Sequence, residues 1–250
     1  METFGFYKTI KVGSEKPQKS ISKLHDLYNK MPDTEGCMSN IEKEDGCKGW
    51  CCECQSPQLL YSEFLNLWGR VMKDWNIDSI CDVIEKSLKN YVKGTTTKGC
   101  VFFNNKSKMC GVHRKRPYNC RVYGITPDEE FKPRLDRMRE TYKDIVGAVI
   151  KDQCHLINTV DGEEVTIEDT NRWWKELVGI ERSIGIPKDN INDDMGGSYR
   201  TPHDHILLYM LPDFIMQKMQ EIRFIDNHNE KMDIVDKYMV AVRRGMSTDE

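Results

Sequence analysis

The sequence predicts a mainly α fold with long irregular cysteine-rich loops and at most a few short strands. Apolar residues recur at three- and four-residue intervals through several segments, the repeat of a helix that buries one face. Thr-Pro pairs followed by acidic residues mark where such segments begin. Ten cysteines are confined to residues 37–154, and seven of them sit in two polar, glycine-containing stretches with no helical or strand period.

Taken in order, Ile21, Leu24, Tyr28 and Met31, with Leu27 widening the stripe, predict an amphipathic helix over residues 19–31 stopped by Pro32. Residues 33–55 are polar and cysteine-rich, a loop that something else must order. Ser62 is the expected cap of a helix carrying Phe64, Leu65, Leu67, Trp68, Val71 and Met72. Ile80, Val83, Ile84, Leu88 and Tyr91 mark another helix, and residues 94–125 read as irregular. Thr126-Pro127-Asp128-Glu129 supplies a cap, a first-turn proline and acids at the positive end of the helix dipole. That helix is expected to run to about residue 150, with a short strand at 163–167 beyond it. Trp173, Trp174, Leu177, Ile180 and Ile184 predict a helix with one indole in the core and one at a surface. Residues 185–200 cluster Gly, Pro, Asn and Asp and read as a long loop. Thr201-Pro202 opens the next helix, Pro212 breaks or kinks it, and a last helix covers about 229–244. The expected organisation is a cysteine-cluster region over residues 1–125 with a helical region over 126–250 packed against it, or the two as one integrated domain.

Composition narrows the function classes. The 250 residues include 37 basic and 40 acidic side chains, a formal net charge of −3, which gives no electrostatic reason to expect nucleic acid or an anionic membrane as partner. Apolar runs such as Ile206 to Leu211 fall far short of a membrane span. The first residues lack the basic-then-apolar pattern of an export signal, so a cytoplasmic location is expected, with a protein or small molecule as partner. No dinucleotide-type glycine loop, phosphate loop, G-x-S-x-G or H-E-x-x-H is present.

The cysteines are the chemical signal. GCKGWCCECQ holds Cys47, Cys51, Cys52 and Cys54, and Cys100, Cys110 and Cys120 follow in a second group separated by nine residues each. A disulfide scaffold belongs to short exported chains with cysteines spread along them, so reduced thiols acting as metal ligands are the better reading. Thiolates are soft donors suited to zinc, copper(I) or iron–sulfur clusters, and loops with little apolar surface draw folding energy from the metal. All seven are candidate cofactor and metal ligands. Cys81 falls in a helical pattern and is expected in the core, while Cys37 and Cys154 lie outside the tight groups. His113 reads as a solvated or hydrogen-bonded loop histidine, and His203-Asp204-His205 as ordinary polar residues of a first helical turn. The loop at 185–200, with Arg200 and His203 at its exit, is expected to border the approach to the cluster.

These residues resemble a family. Cys47, Cys51-Cys52, the helix bearing Glu63, then Cys100, Cys110 and Arg116-Pro117-Tyr118-Asn119-Cys120-Arg121 look like the pattern of the YkgJ-type cysteine-cluster proteins. The resemblance covers roughly residues 37–125 and implies a zinc- or iron-chelating domain. Flagellin lysine N-methylases with an iron–sulfur cluster carry a similar cysteine pattern. The chain departs from the usual C-x-x-C-G-x-C-C opening: it reads C-K-G-W-C-C-E-C, lacking one upstream cysteine and gaining Cys54. Structural zinc favours paired C-x2–4-C knuckles, and the widely spaced second group forms none. The expected cofactor is therefore a [4Fe–4S] cluster, with Zn2+ as the alternative. Arg114, Lys115, Arg116 and Arg121 would offset its negative charge. The expected function is redox chemistry or cluster-dependent modification of a protein or small-molecule substrate. The alternative is a structural zinc-binding interaction module without catalysis.

Overall fold

Helix α3 (Tyr61–Asp74) buries nine of its residues, from Tyr61 through Trp68 and again at Val71. A helix buried around most of its circumference must lie inside the molecule, and in this computed structural model the others are arranged about it. Residues 15–34, 49–54, 56–93, 99–144, 157–184, 199–209, 211, 221–222 and 224–247 are described. Helix α1 (Glu15–Asn29) packs on α3 and on α7 (Ile167–Ile184), while α4 (Ile77–Lys93) packs on α8 (Pro202–Tyr209) and α9 (His228–Ser247). The remaining elements are α2 (Trp50–Cys54), the antiparallel pair β1 (Phe103–Asn104) and β2 (Met109–Cys110), α5 (Tyr118–Val122) and α6 (Asp128–Tyr142). The protein is mostly helical, with one two-stranded ribbon among the described residues.

Two apolar cores result. One gathers Phe64, Trp68, Ile80, Ile84 and Leu88 with Ile206, Tyr209, Val235 and Met239. The other gathers Leu24, Leu27, Tyr28 and Leu60 with Tyr118, Trp173, Leu177 and Ile180. Both draw on residues from either side of position 125. Each large side chain so buried is worth about 1.5–3 kcal/mol, so these cores, rather than the cysteine loops, fix the helix arrangement. At the rim, Arg243 of α9 reaches Asp82 and Glu85 of α4 at 3.2 Å each.

Several local expectations change. Ser62 is inside α3 rather than capping it. The helix starts after Leu60, whose side chain has no acceptor, and carboxylates do the capping. Glu63 Oε2 accepts the Leu60 N–H at 2.9 Å. Glu181, from α7, accepts the N–H groups of Tyr61 and Ser62 at 3.0 and 2.8 Å. Two buried carboxylates at the positive end of one helix replace the hydroxyl cap. Thr126 likewise does not cap α6, because its hydroxyl donates back to the Val122 carbonyl. Residues 163–166 are not strand, and α7 begins at Ile167 behind a reciprocal cap. Asp169 N–H donates to Thr166 Oγ1 at 3.2 Å, and Thr166 N–H donates to Asp169 Oδ2 at 3.1 Å. Thr201 does cap α8, accepting the Asp204 N–H at 3.4 Å. The helix expected to run to about residue 150 ends at Tyr142, with residues 143–144 in a turn. Residues 145–156, 185–198 and Pro212, and with them the long loop, lie outside the described set.

Candidate metal centre

The two cysteine groups meet through their backbones. Gly49, with φ at +74°, turns the chain into α2, and a Cβ there would fall 2.3 Å from the Phe103 ring. At the other end of α2 the Cys52 carbonyl accepts the Cys100 N–H at 2.7 Å. Gly99 passes so close that a Cβ would stand 2.5 Å from the Glu53 carbonyl oxygen. From Cys100 the chain enters the β1–β2 ribbon, in which Phe103 pairs with Cys110. The stretch read as irregular is thus an ordered hairpin that returns Cys110 beside Cys100, with its turn held by Asn104 Oδ1 accepting two backbone N–H groups.

The sulfurs are electrostatically one group. Cys51 and Cys52 Sγ are 3.9 Å apart. Cys52 shares a hydrogen bond with Cys110, which pushes the Cys52 thiol up and holds Cys110 below the ordinary thiol value. The shared hydrogen bond thus disfavours the charged form of Cys52 and favours that of Cys110. Burial pushes Cys100 up to about 12, aided by the charges of Cys110 and Cys51. Burial drives Cys120 well up too, followed by the charges of Cys100, Cys110 and Cys51. Cys52, Cys100 and Cys120, from three chain segments, so resist carrying charge, and a cation among them would remove that penalty.

Backbone amides are already aimed at two of these sulfurs. Phe102 N–H donates to Cys100 and Val112 N–H to Cys110, in each case two residues after the cysteine. Each cysteine turns its chain so that an N–H points at its own sulfur. Of the basic residues expected to offset charge, Arg116 acts on Cys110 and Cys120. Lys86, from α4, acts on Cys100 and was not legible as a site residue, since on the sequence it is one lysine among many on a helix face. Arg121 instead lies over the Tyr28 ring, 4.1 Å from its centroid, and donates to the Arg116 carbonyl at 3.0 Å.

Cys120 arrives on α5, which Glu63 anchors. Glu63 Oε1 accepts the Tyr118 N–H at 2.6 Å and the Tyr28 hydroxyl at 2.5 Å. Burial pushes its carboxyl up, while these donors and Leu60 N–H pull it down. One carboxylate thus joins the starts of α3 and α5 to α1. Next to Cys120, Asn119 Nδ2 donates to the Gln58 carbonyl at 2.6 Å and to Tyr199 Oη at 2.5 Å. Arg200 exchanges backbone hydrogen bonds with Leu59 at 2.8 and 3.1 Å. The exit of the long loop therefore lies beside the Cys120 segment.

Other sequence candidates separate. Cys81 is fully buried in the first core. Trp173 is buried, and Trp174 is half-buried against Tyr118 and Tyr199. His203 and His205 do stand at the start of α8, and both are buried. His205 Nε2 lies 3.0 Å from the Leu59 carbonyl, and its ring stacks on Phe64 and Tyr209. His203 turns to Thr201 Oγ1 at 3.1 Å, so the two do not face a common point. Cys37, Cys47 and Cys154 and the Cys54 side chain lie outside the described residues. Among the described residues, no three His, Cys, Asp or Glu side chains stand grouped as an ion site, and no helix is long and apolar enough to cross a membrane. No family model, curated protein or solved structure matches the chain.

Proposed function

We propose that the chain is a cysteine-cluster metalloprotein of the YkgJ type, working in a reducing compartment such as the cytosol. The reading is supported above all by one observation: thiols from α2, the β1–β2 hairpin and α5 are electrostatically coupled across segments far apart in sequence. Cys51, Cys52, Cys100, Cys110 and Cys120, with Cys47 and Cys54 beside them in sequence, are the thiols from which the ligands come. The donor set is soft, partly buried and flanked by Arg116 and Lys86, which suits a cofactor whose thiolates carry net negative charge. A [4Fe–4S] cluster is favoured because its ligands come from three separate segments rather than two matched knuckles. Such a cluster would supply one-electron chemistry, held by these cysteines, with the Tyr199–Arg200 segment beside the Cys120 helix. The reaction proposed is redox chemistry or modification of a protein or small-molecule substrate that approaches there.

The hairpin supports a second reading. Cys110 on the ribbon and Cys100 just before it are each supported by a backbone amide, and if they help to hold a structural zinc the protein is an interaction module without a reaction of its own. Anaerobic purification followed by iron, sulfide and zinc analysis separates the two. Iron and acid-labile sulfide in equal amounts, with a brown protein, is the expected outcome. A colourless protein with one zinc per chain and no sulfide would transfer the proposal to the interaction module.

A further inference from the structure

His113 stands three residues after Cys110, in the run Cys110-Gly111-Val112-His113. This is the spacing at which a second donor follows the first in a metal knuckle. The local geometry is that of a knuckle as well. Val112 N–H supports the Cys110 sulfur, and Gly111 N–H donates to the Phe102 carbonyl across the hairpin at 2.9 Å. A side chain at position 111 would not fit, since its Cβ would fall 2.7 Å from the Trp75 ring. The turn then closes into a short 3-10 helix, His113–Lys115, in which Lys115 N–H donates to the Val112 carbonyl at 2.8 Å. The backbone of His113 is therefore fixed before any metal arrives.

Its ring has an unmet need. His113 Nε2 is buried and has no hydrogen-bond partner among the described residues. A buried imidazole nitrogen without a partner costs folding free energy, a cost that a metal bond would remove. The charges that act on this ring come from Arg116 and Arg121, and Arg116 also acts on Cys110 and Cys120. Burial, then those two cations, hold the imidazole at about 4, so near neutrality it is uncharged and its lone pair is free to bind.

We infer that His113 is a nitrogen ligand of the metal centre, forming a Cys-x2-His knuckle with Cys110 through Nε2. The inference rests on the metal-centre reading and adds a donor that the cysteine pattern does not contain. The donors would then be mixed: one imidazole with thiolates drawn from Cys51, Cys52, Cys100 and Cys120 alongside Cys110.

The test uses the full chain purified anaerobically, with X-ray absorption at the edge of whichever metal it holds and, for a paramagnetic iron cluster, pulsed EPR for nitrogen coupling. The expected wild-type result is a nitrogen donor at about 2.0–2.1 Å beside sulfur at about 2.3 Å if zinc is bound, or a directly coupled 14N if iron is bound. His113→Ala should lose that signal and bind metal about 100-fold more weakly or worse, beyond the loss seen for outer partners of ligands. His113→Cys should recover most of the binding with an all-sulfur shell. The His113→Cys protein also serves if His113→Ala does not fold. A wild-type centre with sulfur donors alone, or a nitrogen signal that persists in both variants, overturns the role of His113 and leaves the metal centre standing. A wild-type protein that binds neither iron nor zinc overturns both.

Discussion

Three donors, from α1, α5 and the start of α3, converge on the Glu63 carboxylate. Glu63→Gln keeps the shape but turns an NH2 toward one of those donors. The variant should lose about 1–3 kcal/mol of stability in denaturant unfolding, and Cys120 should become more accessible to a thiol reagent. His205 makes a different prediction. Burial pulls its imidazole down to about 4, below the ordinary value of 6.5. The unfolded chain therefore binds a proton that the folded chain refuses between those values, so stability is present above the upper one and is lost as pH falls toward the lower. From pH 7 to pH 5 this one residue should cost about 2 kcal/mol. His205→Phe should show a correspondingly smaller drop over that interval, at the expense of the hydrogen bond to Leu59. Equal drops in both proteins would show that the ring is not buried neutral. Neither role could be read from the sequence. His205 sits in a first turn that looks ordinary, and Glu63 has no visible partner until Tyr28 and Tyr118 are folded onto it.

Among the elements, those with a strong apolar period were legible and those defined by hydrogen bonds were not. The stripes through Leu24 and Tyr28, through Phe64 and Trp68, and through Ile80 and Leu88 all became helices, because burying an apolar face depends on spacing alone. Ser62 and Thr126 failed as caps, since Glu181 took over the first amides of α3 and the Thr126 hydroxyl turned to Val122. The β1–β2 ribbon escaped notice because each strand is two residues long and carries no alternation to detect. Its cysteines were visible, but not the turn that brings Cys110 back to Cys100. The seam between hairpin and α2 is the point to test at this scale. Gly99→Ala would place a methyl against the backbone of Glu53, so the two cysteine groups must part. Helix content by circular dichroism should stay near that of the wild type, because Gly99 supports neither apolar core. Metal content should fall sharply. Retained metal with normal content would show that the seam does not hold the groups together.

At the scale of the whole molecule, the helices and the cysteine segments are stabilised by different means. The cores close around α3 and α4 with apolar side chains from both ends of the chain. The thiols bring desolvation and mutual repulsion that burial makes worse. The same burial pushes Cys100 and Cys120 up, so on the metal-centre reading uptake would release protons and loading should weaken as pH falls. Titrating metal content against pH below 7 checks this, and a flat profile would contradict it. Removing the metal with a chelator should expose α2 and the hairpin to protease while α3, α4 and α9 stay protected.

The central claim is that the two cysteine groups serve one centre, and the most direct test is the metal content of two single variants, Cys51→Ser from the first group and Cys120→Ser from the second. Each should lose most of its iron or zinc relative to wild type when purified anaerobically in parallel, while Cys81→Ser, altered only in the apolar core, should keep it. Full metal retention in both Cys51→Ser and Cys120→Ser would contradict the account, because it would mean that the thiols brought together here do not hold a metal in common.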